Sequence, residues 1–485
     1  MKTRLSVLLF CLFLNFTSNL NGTPIRLHPD NPHYFLYKDT PTILIASGEH
    51  YGAVINMDFD FATYLNTLEE IGLNHTRIFL GDYIEEPGAF CIETNTLSPK
   101  DGRFICPWKR SNVDGFSRGG NKFNLDQWDP AYFKRLHDFM SLAEKKGVIV
   151  EAVLFFSGYL FKHSPFHHSN NINNTDTIKS NQYMTLGTGN ILDHQKKYCV
   201  KLVQELNRYN NLIINIANEP WFDNQEHHGF ASPPPQSTKE WIMHVSEWII
   251  DTEKSLPNKH ILSVDYMNEG RVIPDDDLKL YYKNISVFNH HYDRNAKSAS
   301  LNYDRVNGVM SFNETGLMPP MTTQYRIQGW TYIFSGGGLY NNLDFTFQVG
   351  FEDGTGSTDY TCEWYSGCTN PEAKYQLAAL LRFMNSVQFI NMEPDYRAIA
   401  LNYGDENVYP LVWKGNEYTV YFEGGSRARI KLHVPPGTWE ARWINPADLN
   451  ILSREIVEIE KQVLELLGPV YEEDMLLLVK PYEDE

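Results

Sequence analysis

Ile214-Asn215-Ile216-Ala217-Asn218-Glu219-Pro220-Trp221 reads as a buried β-strand stopped by a turn. Its near-continuous apolar run has the composition of a parallel strand covered on both faces, and proline ends the ladder because it has no N–H to donate. The turn leaves the Glu219 carboxyl at the C-terminal end of the strand. A second stretch, Gly308-Val-Met-Ser-Phe-Asn-Glu314-Thr-Gly, is again an apolar strand closed by a glutamate.

Outward from these two, residues 42–390 alternate short apolar runs with helix-like stretches. Strands are predicted at 41–46, 74–80, 148–156, 212–217, 261–266, 285–292, 308–313 and 337–345, and helices at 58–71, 130–146, 193–209, 239–253, 319–334 and 372–387. A short or poorly formed helix links the fifth and sixth strands. Eight strand–helix units over this length imply an α/β chain folded as a (β/α)8 TIM barrel with enlarged loops. A doubly wound sheet would also alternate, but no strand–helix junction carries a glycine-rich phosphate loop. After Pro394 the pattern changes to short strands at 418–422, 427–434, 439–443 and 475–479, the spacing of a small β-sandwich. The stretch Glu455–Leu467 reads as helical or irregular. The expected domains are an export signal at 1–22, a catalytic barrel at 23–392 and a β-sandwich accessory domain at 393–485.

Glu219 and Glu314 therefore follow strands four and seven, on opposite sides of the barrel mouth. The C-terminal rim of a TIM barrel carries the chemistry. A carboxyl facing a carboxylate across that rim is the arrangement glycosidic cleavage requires, one to protonate the leaving oxygen and one behind the anomeric carbon. Their environments must separate the two pKa values. Singly, each glutamate reads as well as a solvated strand-end residue; the pair is what points to catalysis.

The arrangement resembles the clan A glycoside hydrolases, in which Asn-Glu after strand four is the acid/base motif and a glutamate after strand seven is the nucleophile. The matching residues are Asn218, Glu219 and Glu314. An arginine at the end of strand two matches Arg77 in Asn74-His-Thr-Arg77-Ile-Phe, and a His-x-Tyr after strand six matches His290-His291-Tyr292. The resemblance implies that Tyr292 donates to the nucleophile and that Asn218 holds the sugar 2-hydroxyl. At most one of His290 and His291 should face the site, because successive strand residues alternate. Gln324-Tyr-Arg326-Ile-Gln-Gly-Trp330, Phe389-Ile-Asn-Met-Glu-Pro-Asp395 and Tyr418-Thr-Val-Tyr with Trp443-Ile-Asn-Pro446 resemble apiosidase-like barrels and their C-terminal sandwich. Strand eight departs from them, reading Gly-Leu-Tyr340-Asn-Asn-Leu-Asp344.

Sugar-binding candidates lie at the same rim: Glu49, His50 and Tyr51 after strand one, Asp82 and Tyr83 after strand two, Trp221 beyond the acid/base, and Tyr340, Asn341 and Asp344 on strand eight. Rings can stack on sugar C–H faces while carboxylates and amides bond hydroxyls; the same rings could equally cap the barrel. Long loops at 82–128, 157–192 and 346–370 suit a walled cleft. The expectation is retaining hydrolysis of β-linked poly- or oligosaccharide, endo-acting and β-glucanase-like. Two alternatives are exo-action on a branched plant glycan side chain and a non-catalytic secreted carbohydrate-binding protein.

Composition sets the outer limits. A net charge of −18 speaks against nucleic acid and, more weakly, against an acidic polysaccharide. Lys2 and Arg4 before the apolar run Leu5–Leu14 read as a signal peptide, so a secreted, periplasmic or cell-surface location is expected. No apolar run is long enough to span a membrane. Of six cysteines, Cys11 falls in the signal; Cys362/Cys368 and Cys91/Cys106 bracket loops without metal-site spacing. Asp353-Gly-Thr-Gly-Ser-Thr-Asp359 is oxygen-rich but reads better as a turn than as a calcium loop. No metal and no cofactor is expected, and the protein is expected to be a monomer.

Overall fold

The computed structural model describes residues 22–483 apart from 49–50, 93, 222–232, 282, 294, 316–320, 344, 357–358, 363–364 and 369–370. Eight parallel strands follow one another around a barrel: β1 (Leu44–Ile45), β2 (His75–Phe79), β3 (Ile149–Phe156), β4 (Leu212–Asn218), β5 (Leu262–Asn268), β6 (Val287–His291), β7 (Val309–Glu314) and β8 (Leu339–Tyr340). Ladders run from β2 through β3 to β8 and on to β1. Asn74 stitches the remaining seam: its Nδ2 donates to the Ile43 carbonyl at 2.7 Å, and its Oδ1 accepts from the Ile45 N–H at 2.9 Å.

The helices are α1 (Phe61–Ile71), α2 (Pro130–Lys145), α3 (Ile191–Leu206), α4 (Gln236–Glu253), α5 (Asp275–Tyr281), α6 (Ser298–Asn302), α7 (Met321–Phe334) and α8 (Ala373–Met384). Their ends follow local chemistry. The Asp60 side chain accepts from the N–H groups of Ala62 and Thr63 to open α1, and Gly72 closes it at φ 90°. Asp129 caps α2, whose first residue is Pro130. The two short helices, α5 and α6, flank β6 in the chain.

Two predicted strands are shorter than expected. Residues 40–42 pair with 35–37 in a small antiparallel sheet rather than joining the barrel, and Ile25, Phe35 and Tyr37 pack on Leu44, Ile149, Ile213, Val287, Val309 and Leu339. This apolar plug closes the N-terminal end of the barrel. The 82–128 loop contains a hairpin, Trp108–Asp114 against Asn121–Trp128.

Downstream, β10 (Asn407–Trp413), β11 (Glu417–Glu423), β16 (Asp474–Pro481), β13 (Gly437–Ile444) and β14 (Ile451–Ile459) form one antiparallel sheet in that order. A second sheet holds β9 (Ile399–Asn402), β12 (Arg429–Leu432) and β15 (Leu464–Leu467). A core including Val420, Phe422, Ile430, Trp443, Leu466 and Leu477 lies between them, so the fold is a TIM barrel followed by a β-sandwich. The 455–467 stretch is thus the end of β14, a turn and β15, not helix. β14 is an edge strand with Ile451, Leu452 and Ile456 exposed, so its apolar residues show no clean alternation, and pairing with β13 decides its conformation.

The sandwich is fixed to the barrel. Arg326 on α7 donates from Nε and Nη2 to Asp474 at 2.9 and 2.8 Å and from Nη2 to Glu473 at 2.6 Å, and Tyr421 donates to Asp474 at 2.8 Å. Trp330 stacks on Tyr421 with ring centroids 5.7 Å apart. Because the pair is buried, Arg326→Ala strands a carboxylate and should cost about 3–5 kcal/mol of stability. Chemical denaturation should show a lowered midpoint, and an unchanged one would mean that the two units are joined by apolar packing alone.

Candidate active site

The site begins with backbone geometry. Where β4 ends, Glu219 adopts φ 47°, and where β6 ends, Tyr292 adopts φ 51°. Non-glycine residues rarely occupy this left-handed region, at about 1–3 kcal/mol each, and such strain gathers at functional sites. Here it turns both side chains in over the mouth. β6 carries a register shift between His290 and His291, which directs His291 inward while His290 packs toward Tyr266. Only His291 faces the site, and burial, with the His291 charge beside it, lowers the His290 pKa to about 3.

Glu314 is held from two sides. Arg77 Nη1 donates to its Oε2 at 3.0 Å, and the Tyr292 hydroxyl donates to its Oε1 at 2.7 Å. His291 Nδ1 bonds Glu219 Oε1 at 3.1 Å and lies 3.8 Å from Glu314 Oε2, while its Nε2 is 3.2 Å from Asp265 Oδ2. One oxygen of Glu219 and one of Glu314 lie within 4.8 Å of each other. Both side chains are nearly enclosed, Glu219 being 5 % and Glu314 6 % exposed.

The charges sort by environment. Burial pushes the Glu219 carboxyl up to about 7; its bond to His291 opposes the shift and the Glu314 charge adds to it. Burial disfavours the charged imidazolium of His291, yet the carboxylates of Glu314 and Asp265 overcome this and push it up to about 10. Asp265, despite its burial, is held well below the usual carboxylate range by Arg77 and His291.

Beneath the mouth the barrel interior is polar. Arg77, fully buried, donates from Nη2 to Asn218 Oδ1 and to Asp265 Oδ2, each at 2.7 Å. Asn215 and Asn289 each bridge Glu151 and Asp265 through Nδ2, at 2.7–3.0 Å. Ser263 and Asn313 also donate to Glu151. The sequence reading missed Asp265 and Glu151. Their signal was a charged residue in the middle of an otherwise apolar strand, Val264-Asp265-Tyr266 and Ile149-Val150-Glu151-Ala152, which only a partnered interior position tolerates.

Several other candidates resolve. Tyr51 sits under the Arg77 guanidinium, 5.0 Å from its ring centroid, and so supports the arginine. Trp221 meets His291 edge-on at 5.3 Å. Asp82 accepts from the Phe156 N–H and the Tyr183 hydroxyl, a structural role. Tyr340 is a correction. It is buried between β8 and α7, donates to the Tyr325 carbonyl at 3.0 Å and packs on Phe312, because the pleat turns it outward from the barrel. Asn341 is buried too, and its amide donates to the Asn313 carbonyl. Glu49, His50 and Asp344 lie outside the described residues, as do residues 1–21 of the expected export signal.

Glu219, His291 and Glu314 are close enough together to ligate an ion. A ligating imidazole must be neutral, whereas the carboxylates of Glu314 and Asp265 favour the cation of His291. At 353–355 Asp353 accepts from the Thr355 N–H and hydroxyl, an Asx-type turn, and the buried Lys374 ammonium donates to the Gly354 carbonyl at 2.6 Å. Cys106 and Cys199 are unbonded thiols, so a Cys91–Cys106 pair does not form. Among the described residues no helix is long and apolar enough to cross a membrane.

No family model matches the chain, and no curated protein matches it. Solved structures do. One named as a glycoside hydrolase superposes with a TM-score of 0.61 at 12 % identity, covering 96 % of this chain and 98 % of its own. A glycoside hydrolase family 5 structure from Bacteroides vulgatus ATCC 8482 gives 0.60 at 12 % identity, covering 94 % and 93 %. At this identity the likeness is one of fold, and it spans barrel and sandwich together.

Proposed function

We propose that the chain hydrolyses β-glycosidic bonds with retention, Glu219 acting as general acid/base and Glu314 as nucleophile. The observation that carries this reading is the separation of the two carboxyl groups. One oxygen of each lies within 4.8 Å of the other, which suits the roughly 5–5.5 Å between the carboxyls of retaining enzymes better than the roughly 6.5–9.5 Å of inverting ones. Glu314, oriented by Arg77 and Tyr292, attacks the anomeric carbon as Glu219 gives its proton to the leaving oxygen. A covalent glycosyl–Glu314 ester results. Glu219, now a carboxylate, takes a proton from water, which opens that ester. Asn218, whose Oδ1 is held by Arg77, offers its amide to the 2-hydroxyl, and His291 keeps Glu219 aimed.

Proton NMR of the first-formed product tests the assignment: the β-anomer is expected, and an α-anomer would overturn it. A second measurement follows from charge. Glu219 must carry a proton to act, so kcat/KM should fall tenfold per pH unit above about 7. A rate that keeps rising to pH 9 would remove Glu219 from the acid role.

The substrate fits the class of poly- or oligosaccharides, with endo-action on a β-glucan-like backbone as the first reading. One observation favours exo-action on a terminal sugar instead: both carboxyls are almost fully enclosed. Sizing the products from a polysaccharide panel separates the two, since endo-action shortens chains before monosaccharide accumulates. We also propose export, on the support of the basic-then-apolar residues 2–14.

A further inference from the structure

On the outer wall of the barrel, where the 108–128 hairpin meets α3, lies an open cleft of about 340 Å³. The hairpin lines it with Leu125, Asp126 and Trp128, and α3 with Lys197, Val200 and Gln204, a single stripe at helical spacing. Its volume is at the lower end of the range that ligand pockets occupy, about 300–1,000 Å³. Leu125, Val200 and the indole supply apolar surface; Asp126, Lys197 and Gln204 supply acceptors and donors. None of these groups has a part in the mechanism above.

Trp128 is half-buried and held from behind. Its indole stacks on the buried Trp108 with ring centroids 6.2 Å apart, and Trp108 stacks in turn on Tyr198 of α3 at 5.0 Å. Phe133 meets Trp128 edge-on at 6.2 Å. A ring fixed in this way has little freedom left to lose when it binds. The charges around it are paired: Lys197 donates to Asp126 Oδ1 at 3.1 Å, and Lys201, also on the wall of the cleft, donates to Glu205. The Asp126 and Lys197 side chains are nonetheless 59 % and 56 % exposed, so each keeps lone pairs or N–H groups open to a ligand. A rigid apolar ring beside mutually neutralised, wet polar groups suits a molecule with a C–H face and a rim of hydroxyls, and gives an anion no net attraction. The cleft is also linked to the catalytic mouth. The 157–192 loop starts beside Asn218, whose carbonyl accepts from the Ser157 N–H at 3.1 Å. Farther along the same loop, Asn173 accepts from the Leu125 N–H at 2.7 Å and donates to Asp126 at 2.8 Å.

We propose that this cleft is a non-catalytic glycan-binding site, which holds a neutral segment of a polysaccharide substrate with one sugar ring against Trp128 and its hydroxyls on Asp126, Lys197 and Gln204. This rests on the glycosidase reading above and extends it from the bond that is cleaved to the polymer that carries it. A polymer held at one point presents its other bonds to the mouth at a raised effective concentration. The site therefore favours long neutral chains over small glycosides, which cannot occupy cleft and mouth together.

The test is affinity electrophoresis of the Glu314→Gln protein, in which the nucleophile is removed, through gels containing mixed-linkage β-glucan, glucomannan, xylan or carboxymethylcellulose. At least one of the neutral polymers should retard it. Trp128→Ala and, separately, Asp126→Ala in the same background should weaken that retardation about five- to tenfold. With Glu314 restored, each should lower the ratio of kcat/KM on that polymer to kcat/KM on a 4-nitrophenyl β-glycoside by a similar factor. A change in the catalytic mouth would instead lower both rates and leave the ratio alone, and that outcome overturns the proposal. Unchanged retardation in both variants, retention by carboxymethylcellulose alone, or retention by none of the polymers in a protein that cleaves an aryl β-glycoside also overturns this proposal alone. A protein that binds none of the gels and cleaves neither aryl β-glycosides nor the polymers overturns the glycosidase reading with it. Asp126 is exposed and its variant tests the site independently of the packing of Trp128; a thermal unfolding midpoint within about two or three degrees of wild type shows that each variant is folded.

Discussion

Glu314→Gln should lower turnover of an aryl β-glycoside by on the order of 10⁴ or more, about 5 kcal/mol of barrel-mouth transition-state stabilisation, while the protein stays folded. The amide keeps the shape of the carboxylate, so Arg77 can still donate to its oxygen, and Tyr292 can reverse its hydroxyl to accept from the new N–H. What is lost is the nucleophile. Glu219→Gln should fail differently. It removes the proton donor, so substrates with a poor leaving group are lost, whereas a dinitrophenyl glycoside, which departs without help, should still form the ester with Glu314. That ester then accumulates until azide, which needs no general base, releases it as a glycosyl azide. Burst kinetics and azide rescue in Glu219→Gln, with neither in Glu314→Gln, separate the two roles. Rescue in the Glu314 variant instead would show that the assignments are reversed.

How far the residues alone led depends on how local each feature is. The strand–turn units around Glu219 and Glu314 carry their own punctuation, apolar runs closed by Asn-Glu-Pro and Asn-Glu-Thr-Gly, and the barrel follows from counting such units. Arg77, Asn218, His291 and Tyr292 converge as the resemblance implied, because their strand ends share one rim. Tyr340 was misjudged because a two-residue strand gives no alternation from which to tell inside from outside. Glu151 and Asp265 were missed for a related reason. A charge inside a parallel strand is meaningful only once the amides of Asn215 and Asn289 are known to bond it within the barrel interior. Nor could β14 be read, since its exposed apolar residues are set by an edge position that no local pattern encodes.

That hidden network yields the second large effect, at Arg77→Met. The guanidinium is fully buried and serves Glu314, Asn218 and Asp265 by hydrogen bonds, with Glu151 3.8 Å from its Nε and the Tyr51 ring beneath it. Methionine fills most of the volume but leaves three carboxylates buried without their guanidinium, with His291 beside Glu314 and Asp265 and His75 3.9 Å from Glu151. Losing one partner of a buried ion pair costs about 3–5 kcal/mol, and activity should vanish with the alignment of Glu314. Lysine is not a substitute, because one ammonium cannot reproduce a fork that reaches two acids and an amide together. The loss should depend on pH in a defined direction. Asp265 is held below its ordinary range in the native protein, so its pairing contributes stability that is present above the unfolded carboxylate pKa, about 4, and disappears as pH falls through the lower folded value. In Arg77→Met the same acids are driven upward and can relieve their burial by taking protons. The wild-type advantage in urea unfolding should therefore be largest near pH 7 and shrink toward pH 4.5. Equal midpoints at pH 7 would mean that Arg77 orients the nucleophile without holding the barrel interior together.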